Sequence, residues 1–131
     1  MTPSVDPLVH RLVDEPNIAH LATVLPDGSP HSVPLWVAWE GEHLAFLTGP
    51  TSRKARNLAR DARVAVSISD RERSWEMAQL RGRVVRVVDG DDGWAIIDRI
   101  SQAYLGTPYP LREDRVAFLV EVEHATGESF G

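Results

Sequence analysis

The residues with the most chemical potential in this sequence lie between Thr48 and Leu58. Thr48-Gly49-Pro50-Thr51-Ser52-Arg53-Lys54-Ala55-Arg56-Asn57-Leu58 combines three hydroxyls, a Gly-Pro break and three basic side chains. A helix opening after Thr51 or Ser52 presents unpaired backbone N–H groups and the positive end of its dipole, and both favour an anion. The hydroxyls of Thr48 and Ser52, with Arg53 and Lys54, can complete the anion's hydrogen bonds, and phosphate is the natural guest. The same spacing also describes an ordinary capped helix with solvated basic residues. Positive charge in a first turn opposes the dipole, however, and so asks for a counter-anion.

Little else in the chain offers chemistry of its own. It has no cysteine, which excludes disulfide scaffolds, thiolate catalysis and the usual structural zinc sites. Its five histidines are scattered without metal-ligand spacing, and no catalytic triad or carboxylate pair stands out. His20, His31 and His43 lie on or beside the early strands, as rim residues or as proton donors near neutral pH. A net charge of -5 argues against a nucleic-acid partner, although basic residues cluster at 53–63 and 81–86, a scale suited to a small anion. No apolar run is long enough for a signal peptide or a membrane span, so the expected setting is the cytoplasm, with no membrane partner.

The elements that must position the 48–58 segment read as follows. At 131 residues, 43% hydrophobic and 25% charged, the chain is expected to be one domain, 1–131, with a single core. Helical spacing of apolar residues over 5–14, with Asp6 as cap, predicts a short opening helix. Pro26-Asp27-Gly28 then turns a hairpin. In its second strand Val33, Leu35, Val37 and Trp39 alternate with Ser32, Pro34, Trp36 and Ala38. Pro34 donates no ladder hydrogen bond, so it belongs at an edge, a bulge or a ligand.

Leu44–Thr48 reads as a third strand, leading to the helix after Ser52. Residues 64–69 and 75–88 read as the fourth and fifth, with Leu80, Gly82, Val84 and Val88 sharing a face. A second long helix is expected over 94–105, and 116–122 closes the chain as a sixth strand. Six strands without βαβ alternation predict an antiparallel barrel with short peripheral helices. The four tryptophans are a heavy load for so small a domain; Trp36 and Trp75 can stack on an aromatic ring or lie in a dimer interface.

Several of these segments resemble the pyridoxamine 5′-phosphate oxidase-like split-barrel family. They are Leu21-Ala22-Thr23-Val24-Leu25-Pro26-Asp27-Gly28-Ser29-Pro30, Pro34-Leu35-Trp36-Val37, Ser52–Leu58 and Asp61–Val66. Gly82-Arg83-Val84 and Tyr104–Pro110 extend the likeness over nearly the whole chain. The resemblance implies a mainly β, homodimeric split antiparallel barrel that binds a flavin or the deazaflavin F420 in a groove between subunits. It assigns the cofactor phosphate to Thr48, Ser52, Arg53 and Lys54, with Gly49 alongside, and more weakly to Arg56 and Asn57. It lays the strand carrying Pro34, Leu35 and Trp36 against the ring.

One departure bears on the cofactor. Ser32-Val33-Pro34-Leu35-Trp36-Val37 holds no basic residue where pyridoxamine phosphate oxidases carry an Arg-x-Val-Leu-Leu-Lys-like strand. Together with the end of the chain at Gly131, that argues against vitamin B6 oxidation. The Trp on this strand and the Lys three residues before Asn57 look like the F420-dependent branch. The expected cofactor is therefore F420, with FMN as alternative and FAD or heme as minor options. A composition rich in Ala, Val, Arg, Asp and Gly is associated with high-GC, actinobacterial genomes.

The activity so implied is hydride transfer between reduced deazaflavin and an electron-poor small-molecule acceptor such as an enone or a quinone. A non-catalytic flavin or F420 carrier and an interaction domain with a vestigial groove are the rival readings. The Gly- and Pro-rich stretch between Tyr104 and Tyr109 reads as a lip over the groove or as ordinary packing.

Overall fold

A computed structural model of the protein describes residues 5–130, so the chain end at Gly131 lies outside the described residues. The elements run α1 (Pro7–Asp14), β1 (Ala19–Val24), β2 (Pro30–Leu35), β3 (Ala38–Glu40), β4 (His43–Thr48) and α2 (Arg53–Arg60). There follow β5 (Arg63–Ser69), β6 (Glu76–Val88), α3 (Gly90–Leu105) and β7 (Val116–Ser129). All strand pairs are antiparallel, in the order β2-β1-β5-β6-β7-β4-β3. The two outermost strands, β2 and β3, are joined by only Trp36 and Val37, so the sheet must curl until its edges approach. The result is the expected antiparallel barrel, with a split instead of a seam.

β7 runs to Ser129, past the end expected at Val122, and two further differences change the course of the sheet. The run expected as one strand over 32–39 breaks at Trp36-Val37, which makes seven strands of the expected six. Beyond the break, β3 pairs with β4 only through Ala38–Glu40. The second half of β4, Phe46–Thr48, pairs with β7 alone. Pro34 sits on edge strand β2, where a missing donor is tolerated.

The second difference is a change of face along β6. Leu80 and Val84 face the barrel interior, as expected, but Val88 packs outward against α3. The cause is a register shift between Val84 and Arg86 that leaves Val85 unpaired; one extra residue inverts the face of everything beyond it. A second shift at Arg81/Gly82 brings the strands so close that a Cβ on Gly82 would stand 2.0 Å from the Glu121 carbonyl oxygen.

The barrel interior is filled by Leu21, Leu44, Phe46, Val66, Leu80, Phe118 and Val120, with Phe46 stacked on Phe118 at 5.1 Å. Apolar burial of this kind is the main source of stability. α1 plugs one end with Val9, Leu12 and Val13, and Arg11 ties it to Asp70 and Glu76. α2 sits over the opposite end, with Ala55 and Leu58 turned inward. α3 lays Ile96, Ile97 and Ile100 on the outer face of β4 and β7. It starts at Gly90, before the expected Trp94, because Gly93 lets its first turn close on β6: a Cβ there would stand 2.4 Å from the Val88 carbonyl oxygen.

Candidate functional site

The Gly49-Pro50 break ends β4 and the chain turns directly into α2, with the Ser52 N–H donating to the Gly49 carbonyl at 3.1 Å. Ser52 is the N-cap, its hydroxyl accepting the Ala55 N–H at 3.2 Å. Thr48 donates its hydroxyl to Ser52 Oγ at 2.9 Å, so the two hydroxyls converge at the start of the helix. Lys54 is half-buried beside them. Burial, and then the positive charge of Arg115, hold its ammonium pKa below the ordinary lysine value.

Arg115 carried no signal in the sequence beyond its basic type just before an apolar run. The structure brings it to Gly49, where an added Cβ would stand 3.7 Å from its Nη1. The helix start thus gathers Thr48, Gly49, Ser52, Lys54 and Arg115. Arg53 and Arg56 are exposed on α2. Among the described residues, none of Arg53, Lys54, Arg56 and Arg115 forms a salt bridge with a carboxylate.

Asn57 has a different environment. It is fully buried and donates its amide to Thr23 Oγ1 at 3.0 Å, while Arg60 reaches its Oδ1 at 3.4 Å and also the Val24 carbonyl. These contacts fasten α2 to the end of β1, which gives Asn57 a structural task.

The second part of the site is an open apolar groove of about 180 Å³ lined by Leu35, Trp36, Leu47 and Tyr109. It lies at the split, between the end of β2 and the half of β4 that β3 leaves unpaired. The Trp36 ring stacks on Tyr104 at 5.1 Å and meets Tyr109 edge-on at 6.1 Å. Tyr104 is a structural post, not a lip. Its hydroxyl donates to the Asn17 carbonyl at 2.6 Å and accepts the Val37 N–H at 3.1 Å, and burial raises its pKa.

Tyr109 does line the groove, and its segment is pinned to α3. Asp98 accepts the Tyr109 N–H at 3.0 Å and pairs with Arg112 at 2.5 Å, and Arg112 lies over the Trp94 ring at 4.2 Å. Arg112, ahead of the Tyr109 N–H, holds the Asp98 carboxyl below the usual range. Pro34 is exposed outside the groove lining, and so is Trp75, at 40% exposed. His20 is exposed and His31 and His43 partly so; none lines the groove. The apolar groove wall of Leu35 and Trp36 and the helix start with Thr48, Gly49, Ser52 and Lys54 are linked by Leu47, the chain neighbour of Thr48.

With this geometry in view, the comparisons with known proteins are direct. The family described as pyridoxamine 5′-phosphate oxidase matches residues 5–127. The chain belongs to this family. A solved structure described as an F420 reductase is 31% identical, with a TM-score of 0.81 over 93% of this chain and 98% of that one. Two more distant structures share the family fold. A heme-binding protein from Mycobacterium smegmatis is 22% identical, with a TM-score of 0.76 over 100% of this chain and 57% of that one. An FAD-binding protein from Mesorhizobium loti is 20% identical, with a TM-score of 0.70 over 100% and 99%. No curated protein matches the chain. Among the described residues, no helix is long and apolar enough to cross a membrane and no cluster of side chains could hold a metal ion.

Proposed function

We propose that this pyridoxamine 5′-phosphate oxidase family member is an F420-dependent oxidoreductase, working as a homodimer on an electron-poor small-molecule acceptor such as an enone or a quinone. The observation that carries the reading is that the end of β4 serves two unlike surfaces: Leu47 lines an aromatic-walled apolar groove, and Thr48 leads into a helix start whose cations, among the described residues, have no carboxylate partners. A cofactor with a flat ring and a phosphate-bearing tail needs both. Thr48, Ser52 and Lys54 would hold the phosphate, with Arg53 and Arg56 adding positive potential from the exposed side of α2; Leu35, Trp36, Leu47 and Tyr109 would hold the ring.

When bound and reduced, the deazaflavin supplies the hydride. The protein's part is position and dryness. Trp36, held by Tyr104 behind it, offers a flat wall, and the Asp98–Arg112 pair keeps Tyr109 at the groove's other side. Tyr109 is the one groove residue able to pass a proton through its side chain. The 31% identity to an F420 reductase favours F420 over FMN as the cofactor.

The homodimer is supported by the outer face of β2, β1, β5 and β6, which no helix covers among the described residues. Adjacent rows of that face run Pro34, His20, Ser67, Gln79 and Ser32, Ala22, Ala65, Arg81. Ser32, Ala22, Ala65 and Ser67 make a patch of small side chains, flanked by His20, Gln79 and Arg81, that a second copy can approach closely. Light scattering tests this directly: a mass near 14.5 kDa would mean a monomer and remove the dimer.

A non-catalytic cofactor carrier is the second reading, favoured by the scarcity of acid–base groups in the groove. Titration with F420, FMN and FAD, followed by the oxidation rate of reduced F420 with enone and quinone acceptors, separates the two. Selective F420 binding with accelerated oxidation supports the reductase. Binding without turnover supports the carrier, and no binding removes both.

A further inference from the structure

Arg115 is held in place more firmly than an ordinary surface arginine. It follows Asp114, the one non-glycine with positive φ among the described residues, at 43°. Backbone in that region is costly for a residue with a side chain and persists where the surroundings impose it. The Arg115 Nη1 donates to the carbonyls of Glu113 at 3.1 Å and Asp114 at 2.9 Å, which fixes the guanidinium. Among the described residues its Nε and Nη2 have no acceptor, so three of its five N–H donors are left over.

The chain does not lack acids to pair with it. It carries 19 Asp and Glu against 14 Lys and Arg, and Arg11, Arg63, Arg73, Arg83, Arg99 and Arg112 each meet a carboxylate. Arg115 instead stands near Gly49 and within electrostatic reach of half-buried Lys54, so two like charges are kept together. Because position 49 is glycine, no side chain there covers the guanidinium. Two uncompensated cations, one of them anchored, beside two converging hydroxyls form a receptor for an oxyanion.

We propose that Arg115 is an anion ligand of this protein, completing with Lys54 a two-cation seat for a phosphate group. The assignment rests on the reading of the Thr48–Lys54 segment as phosphate-binding and adds a residue from the opposite end of the chain. An anion in that seat relieves the repulsion between Lys54 and Arg115, so binding stabilises the fold itself.

The test uses the full chain and inorganic phosphate, followed by thermal unfolding with chloride at equal ionic strength as control. Phosphate is expected to raise Tm where chloride does not, and Arg115→Gln, which keeps a donor for the two carbonyls but removes the charge, is expected to abolish the rise. The same variant should weaken F420 or FMN about tenfold or more and leave riboflavin, which has no phosphate, unchanged. Full phosphate response and unaltered cofactor affinity in Arg115→Gln would overturn the proposal. If that variant fails to fold, Arg115→Lys decides, because lysine keeps the charge but not the fork: a weakened phosphate response at a chloride Tm close to the parent's upholds the ligand role, and an undiminished response overturns it. An Arg115-dependent phosphate response without affinity for F420, FMN or FAD would uphold the seat and sink the cofactor reading; cofactor binding indifferent to Arg115 would do the reverse.

Discussion

The Val37 backbone N–H donates to the phenol oxygen of Tyr104 at 3.1 Å, so a side chain from α3 takes the place of a neighbouring strand where the barrel is split. The same hydroxyl satisfies the Asn17 carbonyl at 2.6 Å, and the ring behind it supports Trp36. Tyr104→Phe keeps the ring and removes the hydroxyl, leaving two backbone groups unpaired. We expect a loss of about 1–3 kcal/mol in urea denaturation. Cofactor affinity should hardly change, because the stack on Trp36 survives. A large drop in affinity without a drop in stability would place the hydroxyl in binding instead.

Asn57 separates a structural from a binding role in the phosphate-type segment. Its amide is fully buried against Thr23, so Asn57→Ala should cost about 1–3 kcal/mol by stranding the Thr23 hydroxyl and loosening α2. A double-mutant cycle with Thr23→Val should show coupling between the two sites. In the folded fraction, affinity for the cofactor should fall far less than stability does. Loss of affinity at unchanged stability would restore Asn57 to the binding set.

Lys54 should show the opposite signature. It is half-buried, within electrostatic reach of Arg115 and, among the described residues, without a carboxylate partner, so its charge is a liability in the empty protein. Lys54→Met, which keeps the apolar stem, is expected to leave Tm unchanged or raise it. The same change should weaken a phosphate-bearing cofactor by about 1.5–3 kcal/mol, the scale of a hydrogen bond to a charged group. Isothermal titration beside thermal unfolding checks both halves, and a variant that lost stability and kept affinity would remove Lys54 from the phosphate site.

Local chemistry made much of this legible. The Ser52 cap, the Pro26-Asp27-Gly28 turn and the edge position of Pro34 all follow from what single residues allow their backbone to do. What escaped is non-local. Val84-Val85-Arg86-Val87-Val88 reads as uninterrupted strand, and only the partner strand reveals that Val85 is extra and that Val88 turns outward. Tyr104 continues the apolar stripe of its helix, but its hydroxyl partners lie 87 and 67 residues away. Arg115 and Gly49 meet only because β4 and β7 pair, with Thr48 opposite Val116.

Acid unfolding offers a test of how α1 is fastened to the barrel. The Asp70 carboxylate accepts the N–H groups of Arg73 and Glu72, both at 2.9 Å, and the Arg11 guanidinium at 3.1 Å, which together hold its pKa at about 2. The unfolded value is near 3.8, so the folded state releases the proton more readily than the unfolded state does. The stabilisation is complete above about pH 4 and is lost as the pH falls through about 2. Asp70→Asn removes the titrating group and the attraction for Arg11. Stability of the variant should therefore lie below the parent at neutral pH, fall less steeply between about pH 4 and 2, and approach the parent at the acid end. Urea denaturation at a series of pH values reads this slope difference; parallel curves would show that Asp70 does not couple folding to protonation and that Glu76 is the partner through which Arg11 fastens α1.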